Sequence, residues 1–259
     1  MKYKIFASTT PQTEPVLNKL RAVLKTWQAV ENGYEYVFVL GGDGFFVSTL
    51  ANYNCDSCKV VGINTGHIGF YTSFNGDDLD ENFISKLTSF EFRKINLLEV
   101  KTKNHSFLVL NELAVYTNTA YPINIFIDDN HWESYRGSGL LIVPRTGSTA
   151  LAKSAKGAVI FPNVDVVQII ELNPLLHPNQ ITIQSPIILP MQTKVEFRIK
   201  KAFKAEQFPN FYADGIKLDL KNEDTSISFQ LVLSRSMFHA SLKTKDFIDK
   251  LKSTFIKQS

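Results

Sequence analysis

Leu40-Gly41-Gly42-Asp43-Gly44-Phe45-Phe46 is the stretch on which the reading of this chain turns. It closes an apolar run, Tyr36-Val37-Phe38-Val39-Leu40, and opens into Phe46-Val47-Ser48-Thr49-Leu50, which can start a helix. Strand, glycine turn and helix, in that order, build a phosphate site in a parallel sheet. Glycines permit positive φ and let a ligand touch the backbone. Asp43 is the odd member, because a carboxylate at a bare phosphate site repels its ligand. It makes chemical sense if it takes a proton from an incoming hydroxyl, or holds a metal that neutralises the phosphates. It makes structural sense if it caps the next helix. The spacing leaves all three readings open.

Working outward, residues 3–7 read as a strand broken by Thr9, Thr10 and Pro11. Val16, Leu20, Val23, Leu24 and Trp27 then recur at helical spacing. Lys59-Val60-Val61-Gly62-Ile63-Asn64 is a further buried strand, followed by the glycine-punctuated loop Thr65-Gly66-His67-Ile68-Gly69-Phe70-Tyr71 and a helix near 78–88. This alternation predicts a doubly wound parallel sheet, with its ligand crevice beyond the carboxyl ends of the strands. From Phe92 onward strand patterns dominate: 95–103, 106–117, 122–128, 139–143, 166–171, 180–184, 194–200, 216–220 and 225–233. The expected fold is therefore α/β: an N-terminal doubly wound α/β domain over 1–92 and a C-terminal β-rich, sandwich-like domain over 93–239. A last helix within 240–259 is expected to complete the first domain.

Composition narrows the function classes. The chain has 259 residues, 44% hydrophobic and 20% charged, enough for real cores. A formal net charge of +3 is too small to argue for nucleic acid as a partner. The N-terminus shows no signal-peptide core and no apolar run is long enough to span a membrane, so a cytoplasmic location is expected. Cys55-Asp56-Ser57-Cys58 lacks the second pair of a zinc site and reads as two free thiols in a loop, favouring a reducing compartment. No P-loop, no GxGxxG after the first strand, no HExxH and no GxSxG occurs.

Two further stretches could carry chemistry. Asn111-Glu112 interrupts the apolar runs Phe107–Leu110 and Leu113–Val115. Adjacent strand residues face opposite sides, so the pair needs a bulge, a sheet edge or a ligand. Pro144-Arg145-Thr146-Gly147-Ser148-Thr149-Ala150 crosses from strand to helix. It reads either as an anion site built from helix amides and the Ser148 and Thr149 hydroxyls, or as a plain helix cap. Arg136-Gly137-Ser138-Gly139 just before it could add a cation.

Taken together, these motifs resemble the NAD kinase family. The resemblance is carried by Gly41-Gly42-Asp43-Gly44, Asn64-Thr65-Gly66-His67-Ile68-Gly69-Phe70-Tyr71, Asn111-Glu112, Arg136-Gly137-Ser138-Gly139-Leu140 and Thr146-Gly147-Ser148-Thr149-Ala150, in that order. Turns like the first alone also occur in phosphofructokinases and diacylglycerol-type lipid kinases. The resemblance implies transfer of the γ-phosphoryl of ATP, or of polyphosphate, to the 2′-hydroxyl of the adenosine ribose of NAD. It makes Asp43 the general base and gives the phosphates to Gly41, Gly42 and Gly44. Asn111 and Glu112 would hold ribose hydroxyls. Phe70 and Tyr71 would sit near the adenine. Asp43, Gly44, Arg136, Ser138, Thr149, Ala150, Leu151, Ser154, Asn173 and His177 would complete the NAD site. Mg²⁺, or another divalent cation, is expected on the ATP phosphates rather than on protein ligands. A homodimer or homotetramer is also implied. The chain departs from the family pattern at Phe45, where Thr is common, at Ser138, where Asp is frequent, and at Leu151, where Tyr is common. A lipid or sugar kinase, or a nucleotide sensor without turnover, is the alternative reading.

Overall fold

A computed structural model describes residues 1–51, 58–66, 69–176, 181–200, 204–221, 226–240 and 244–256. His67, Ile68, Cys55 and His177 lie outside the described residues. The chain divides into two compact units, Met1–Ile95 with Ser234–Ser259, and Asn96–Leu233.

The first unit runs β1 (Lys2–Ala7), α1 (Thr13–Val23), β2 (Gln28–Ala29), β3 (Tyr36–Leu40), α2 (Asp43–Ala51), β4 (Lys59–Asn64), β5 (Thr72–Asn75) and α3 (Phe83–Thr88). Every residue of β3 is buried, as its unbroken apolar run requires of a strand covered on both faces. β1 pairs in parallel with β2 and β3, β3 with β4, and β4 with β5. This is the parallel α/β sheet that the strand–helix alternation predicts. Its core gathers Leu20 and Leu24, Phe38 and Leu40 of β3, Val61 and Ile63 of β4, and Phe83 and Leu87 of α3.

The second unit continues as β6 (Phe92–Lys101), β7 (Ser106–Val109), β8 (Leu113–Tyr116), β9 (Ile123–Ile127), β10 (Asn130–Tyr135) and β11 (Gly137–Pro144). A short 3₁₀ turn, Arg145–Thr149, leads to the one-turn helix α4 (Leu151–Ser154). Then come β12 (Val166–Pro174), β13 (Ile187–Pro190), β14 (Val195–Ile199), β15 (Asn210–Ala213), β16 (Ile216–Lys217) and β17 (Ser226–Ala240), and α5 (Thr244–Phe255) closes the chain in the first unit. One antiparallel sheet has the order β13-β12-β11-β8-β15-β16. In the other, β9 pairs with β10 and β14, and β14 pairs with the start of β17, all antiparallel. The alternation of side chains sets the layers. Leu113 and Val115, Leu140 and Ile142, Val167 and Ile169 face Ile125, Phe197 and Phe229 of the opposite sheet. Ala114, Leu141, Val143 and Ile170 point the other way and are covered by Ala152 of α4. The β-rich domain is thus a sandwich with the Arg145–Ser154 segment laid on its outer face.

Three expectations need correction. Residues 181–184 are not a strand, and 218–220 do not extend β16. Cys58 is buried and disulfide-bonded, so it is no free thiol. None of Gly41, Gly42 and Gly44 takes a positive φ. Among the described residues no helix is long and apolar enough to cross a membrane.

Candidate active site

In the first unit, Asp43 begins α2 immediately after the two glycines that end β3. Its carboxylate reaches over to the next loop: Oδ2 accepts the Phe70 N–H at 2.7 Å and Oδ1 the Tyr71 N–H at 3.0 Å. Each carboxylate oxygen keeps a lone pair for a further donor. The glycines serve close approach rather than unusual φ. A Cβ on Gly69 would lie 2.6 Å from Asp43 Oδ1, and one on Gly41 2.8 Å from the Phe45 ring. At Gly42 and Gly44 a Cβ would meet nothing within 4 Å, so the turn borders open space. The rings of Phe70 and Tyr71 are packed. Tyr71 stacks on Phe46 with centroids 5.1 Å apart, and Phe70 stacks on Phe255 of α5 at 5.6 Å. Lys250 of α5 donates from Nζ to the carbonyls of Gly69 and Thr72. Burial pushes its ammonium down to about 8, against the opposing charges of Asp43 and Asp246.

In the second unit, Asn111 and Glu112 occupy a bend between β7 and β8, which is how two adjacent polar residues fit inside an apolar run. The bend is held by a residue to which the sequence assigns no role. Asp214 accepts the N–H groups of Leu110 at 2.8 Å, Asn111 at 2.7 Å and Glu112 at 3.2 Å, and its own N–H donates to the Glu112 carbonyl at 3.0 Å. Asp214 and Gly215 turn the chain with φ of 49° and 81°, a conformation that suits Asp-Gly. The Thr146 hydroxyl donates to the Leu110 carbonyl on the other side of the same bend. Gly147 packs so closely that a Cβ would sit 1.8 Å from the Asn111 carbonyl oxygen. Burial, then the Asp214 charge, pushes Glu112 up to about 7. Its Oε2 is buried without a hydrogen-bond partner.

The Arg145–Ser154 segment is the one whose sequence reads either as an anion site at a helix start or as a plain helix cap. It is a 3₁₀ turn followed by a helix of one turn, too short to present an N-terminal anion site. Ser148 faces inward, 1% exposed; its Oγ accepts the Ile160 N–H at 3.1 Å. Thr149 and Ala150 are half-buried, and Leu151 and Ser154 are exposed. Ser154 lines a cavity of about 300 Å³ with Lys156, Glu171, Asn173, Gln184 and Ser185. Three of these, Lys156, Asn173 and Gln184, take positive φ of 61°, 45° and 57°, uncommon for side-chain-bearing residues. Over 181–184, the described part of the strand expected at 180–184, no strand forms. Glu171 Oε2 accepts the Thr182 hydroxyl at 2.8 Å and the Gln184 N–H at 3.1 Å, and Glu133 Oε2 accepts the Ile183 N–H at 3.2 Å. Carboxylates take the place of a neighbouring strand there; burial, with Glu171 alongside, pushes Glu133 up to about 7. Arg136 and Ser138 are exposed on the β11 side of this unit.

Each unit therefore assembles one constellation: Gly41, Gly42, Asp43, Gly44, Phe70 and Tyr71 in the first, and Asn111 and Glu112 with the Thr146–Ala150 turn in the second. Lys250 is a member that sequence reasoning leaves out, and Asp214, in the Ala213-Asp214-Gly215 turn that resembles the family's, is one to which it gives no role. Among the described residues no group of three or more His, Cys, Asp or Glu is placed to hold a metal ion.

Comparison with known proteins finds a family model for each part of the chain. The family described as ATP-NAD kinase N-terminal domain matches residues 5–91, and that described as ATP-NAD kinase C-terminal domain matches residues 109–227. An NAD kinase of Mycoplasma genitalium is 99% identical over the full length of both chains, and one of Mycoplasma pneumoniae is 73% identical, again over both full lengths. An NAD kinase of Mycoplasmoides gallisepticum is 34% identical, covering 98% of this chain and 94% of its own. Yeast NADH kinase complexed with NADH superposes with a TM-score of 0.82 at 16% identity, covering 100% of this chain and 89% of its own. An Archaeoglobus fulgidus NAD kinase in complex with ATP gives 0.78 at 20% identity, covering 98% and 99%. The two superpositions bear on the fold, and the sequence matches on the lineage: the chain belongs to the NAD kinase family.

Proposed function

We propose that the chain transfers the γ-phosphoryl group of ATP, or of polyphosphate, to the 2′-hydroxyl of the adenosine ribose of NAD, yielding NADP. The observation that carries this reading is the Asp43 carboxylate, fixed at the end of β3 by two backbone N–H groups with a lone pair left on each oxygen. In the proposed step the 2′-hydroxyl gives its proton to Asp43 as its oxygen bonds to the γ-phosphorus. The bridging P–O bond breaks and ADP leaves. Such transfers depend mainly on positioning and charge stabilisation.

The other roles follow the chemistry of the groups. Asn111 and Glu112 hold ribose hydroxyls, and the unpartnered Oε2 of Glu112 supports that assignment. Thr149, Ala150, Leu151, Ser154 and Asn173 line the dinucleotide, supported by the cavity beside Ser154 and Asn173. The open space beside Gly42 and Gly44 suits phosphate oxygens. A divalent cation bound with the ATP phosphates would supply charge neutralisation at the transferred group. The test is direct. Purified protein with ATP, Mg²⁺ and NAD should form NADP, read by an NADP-specific dehydrogenase, with polyphosphate as donor in parallel. No NADP from either donor overturns the reading.

A further inference from the structure

We propose that Lys250, on the C-terminal helix, is a positioning residue for Asp43: its ammonium grips the loop whose amides hold the carboxylate, and stands as that carboxylate's counter-charge. The inference rests on the assignment of Asp43 as the base.

The geometry begins with α5. Phe247, Leu251 and Phe255 recur at four-residue spacing along one face. Phe247 is buried, and the Phe70 ring meets it edge-on at 6.1 Å while stacking on Phe255. Lys250 lies one turn from Phe247, on the side that faces the Gly69–Thr72 loop. Its Nζ donates to the carbonyls of Gly69 and Thr72. The Gly69 carbonyl belongs to the same peptide unit as the Phe70 N–H, and that N–H donates to Asp43 Oδ2 at 2.7 Å. One peptide group therefore has an ammonium at its oxygen and a carboxylate at its hydrogen. Both ends are charge-assisted, and each polarises the group in favour of the other.

An anchoring role alone does not call for a charge. The helix is already seated by its phenylalanines, and taking an ammonium out of water is costly. The charged groups that bear on Lys250 are Asp43 of α2 and Asp246 of its own helix, and both favour the ammonium against its burial. With its pKa near 8, the lysine sheds its proton just above neutral pH. Once neutral, it no longer balances Asp43.

Three chains test this: wild type, Lys250→Met and Lys250→Arg. Lys250→Met should lose kcat by roughly 100-fold, the scale of a misplaced catalytic group, with KM for NAD little changed. Wild-type kcat should fall as pH rises through about 8. Lys250→Arg should restore activity and hold it through that range, because guanidinium stays charged. Wild-type kcat in Lys250→Met, or an unaltered alkaline limb in Lys250→Arg, overturns the proposal. A readout independent of turnover is the NMR titration of Lys250 in chain carrying ¹³C-labelled lysine, assigned by loss of its signal in Lys250→Arg. In Asp43→Asn the midpoint should move down, since a favourable charge is gone; an equal midpoint overturns the coupling. If wild type forms no NADP, the kinase reading falls, while the titration still decides whether Lys250 and Asp43 are coupled. If Lys250→Met does not fold, Lys250→Arg and the titration decide.

Discussion

The two units solve one local problem in two ways. In each, an aspartate pins a bend by accepting successive backbone N–H groups: Asp43 those of Phe70 and Tyr71, Asp214 those of Leu110, Asn111 and Glu112. In each, the carbonyl of one peptide whose N–H the aspartate accepts is held from behind, that of Gly69 by Lys250 and that of Leu110 by Thr146. The difference lies in charge. Asp43 has an ammonium beside it, whereas Asp214 has a second carboxylate, Glu112. Burial pushes Asp214 up, and its three N–H donors pull the other way. Under the proposed reaction, the same hydrogen-bond motif presents one carboxylate for chemistry and spends the other on holding backbone in place. Its surroundings decide which.

The sharpest way to break the comparison is to neutralise each aspartate in turn. Asp43→Asn should lower kcat by roughly 10²- to 10⁴-fold, the range for loss of a general base, with dinucleotide binding retained. Its melting temperature should fall, though less than that of Asp214→Ala, because the amide oxygen still accepts one N–H while the amide NH2 opposes the other. Near-normal turnover would remove Asp43 from the base role. Asp214→Ala should do the reverse. It strips three N–H groups of their acceptor at once, and each group left unsatisfied costs about 1–3 kcal/mol. Urea unfolding should show a loss of roughly 3 kcal/mol or more, on the order of 10 °C in melting temperature. Wild-type stability with lost NAD binding would move Asp214 from scaffold to ligand site.

The surroundings of the two aspartates also predict a pH signature in the second unit. Glu112 titrates at about 7 in the folded chain against 4.5 normally. Between those values the folded chain binds a proton that the unfolded chain has released, so stability falls as pH rises through the window. The whole swing is roughly 3 kcal/mol. Glu112→Gln should flatten the slope. Glu133, also near 7, keeps a slope of its own, so the readout is the difference between wild type and variant in unfolding free energy from pH 4.5 to about 7. Identical slopes would mean that Glu112 is not protonated by burial.

Which parts of this were legible in the sequence follows from how far apart the partners lie. The run Tyr36–Leu40 and the glycine turn are local, so strand, turn and helix could be read directly. Asn111-Glu112 announced itself because two polar residues cannot both sit comfortably in an apolar strand. Asp214 and Lys250 gave no such signal, since their partners lie 103 and 181 residues away. An Asp-Gly turn and a lysine on an amphipathic helix look ordinary until the chain is folded. Ile181 and Ile183 misled in the opposite sense. Their alternation reads as a strand face, yet they are 76% and 42% exposed, and the backbone around them is tied to Glu133 and Glu171. Ser148 was ambiguous for a related reason: a hydroxyl after glycine suits an anion or a neighbouring amide equally, and here it bonds to Ile160.

The smallest effect expected comes from the hand behind the second bend. Thr146 donates a neutral hydroxyl to the Leu110 carbonyl, in the place where Lys250 donates a charge to Gly69. Thr146→Val keeps the shape and removes the donor. A neutral hydrogen bond contributes about 0.5–1.5 kcal/mol net, so unfolding should cost about 1 kcal/mol less than in wild type. That loss should be the same at every pH, because no proton is gained or lost at a threonine. It should also leave the alkaline limb of turnover where it was. If Thr146→Val instead shifted that limb, or cost as much as Asp214→Ala, the bend at Asn111 would depend on its carbonyl side as strongly as the bend at Phe70 does. The distinction between a scaffold held by neutral groups and a proposed base held by charged ones would then fail.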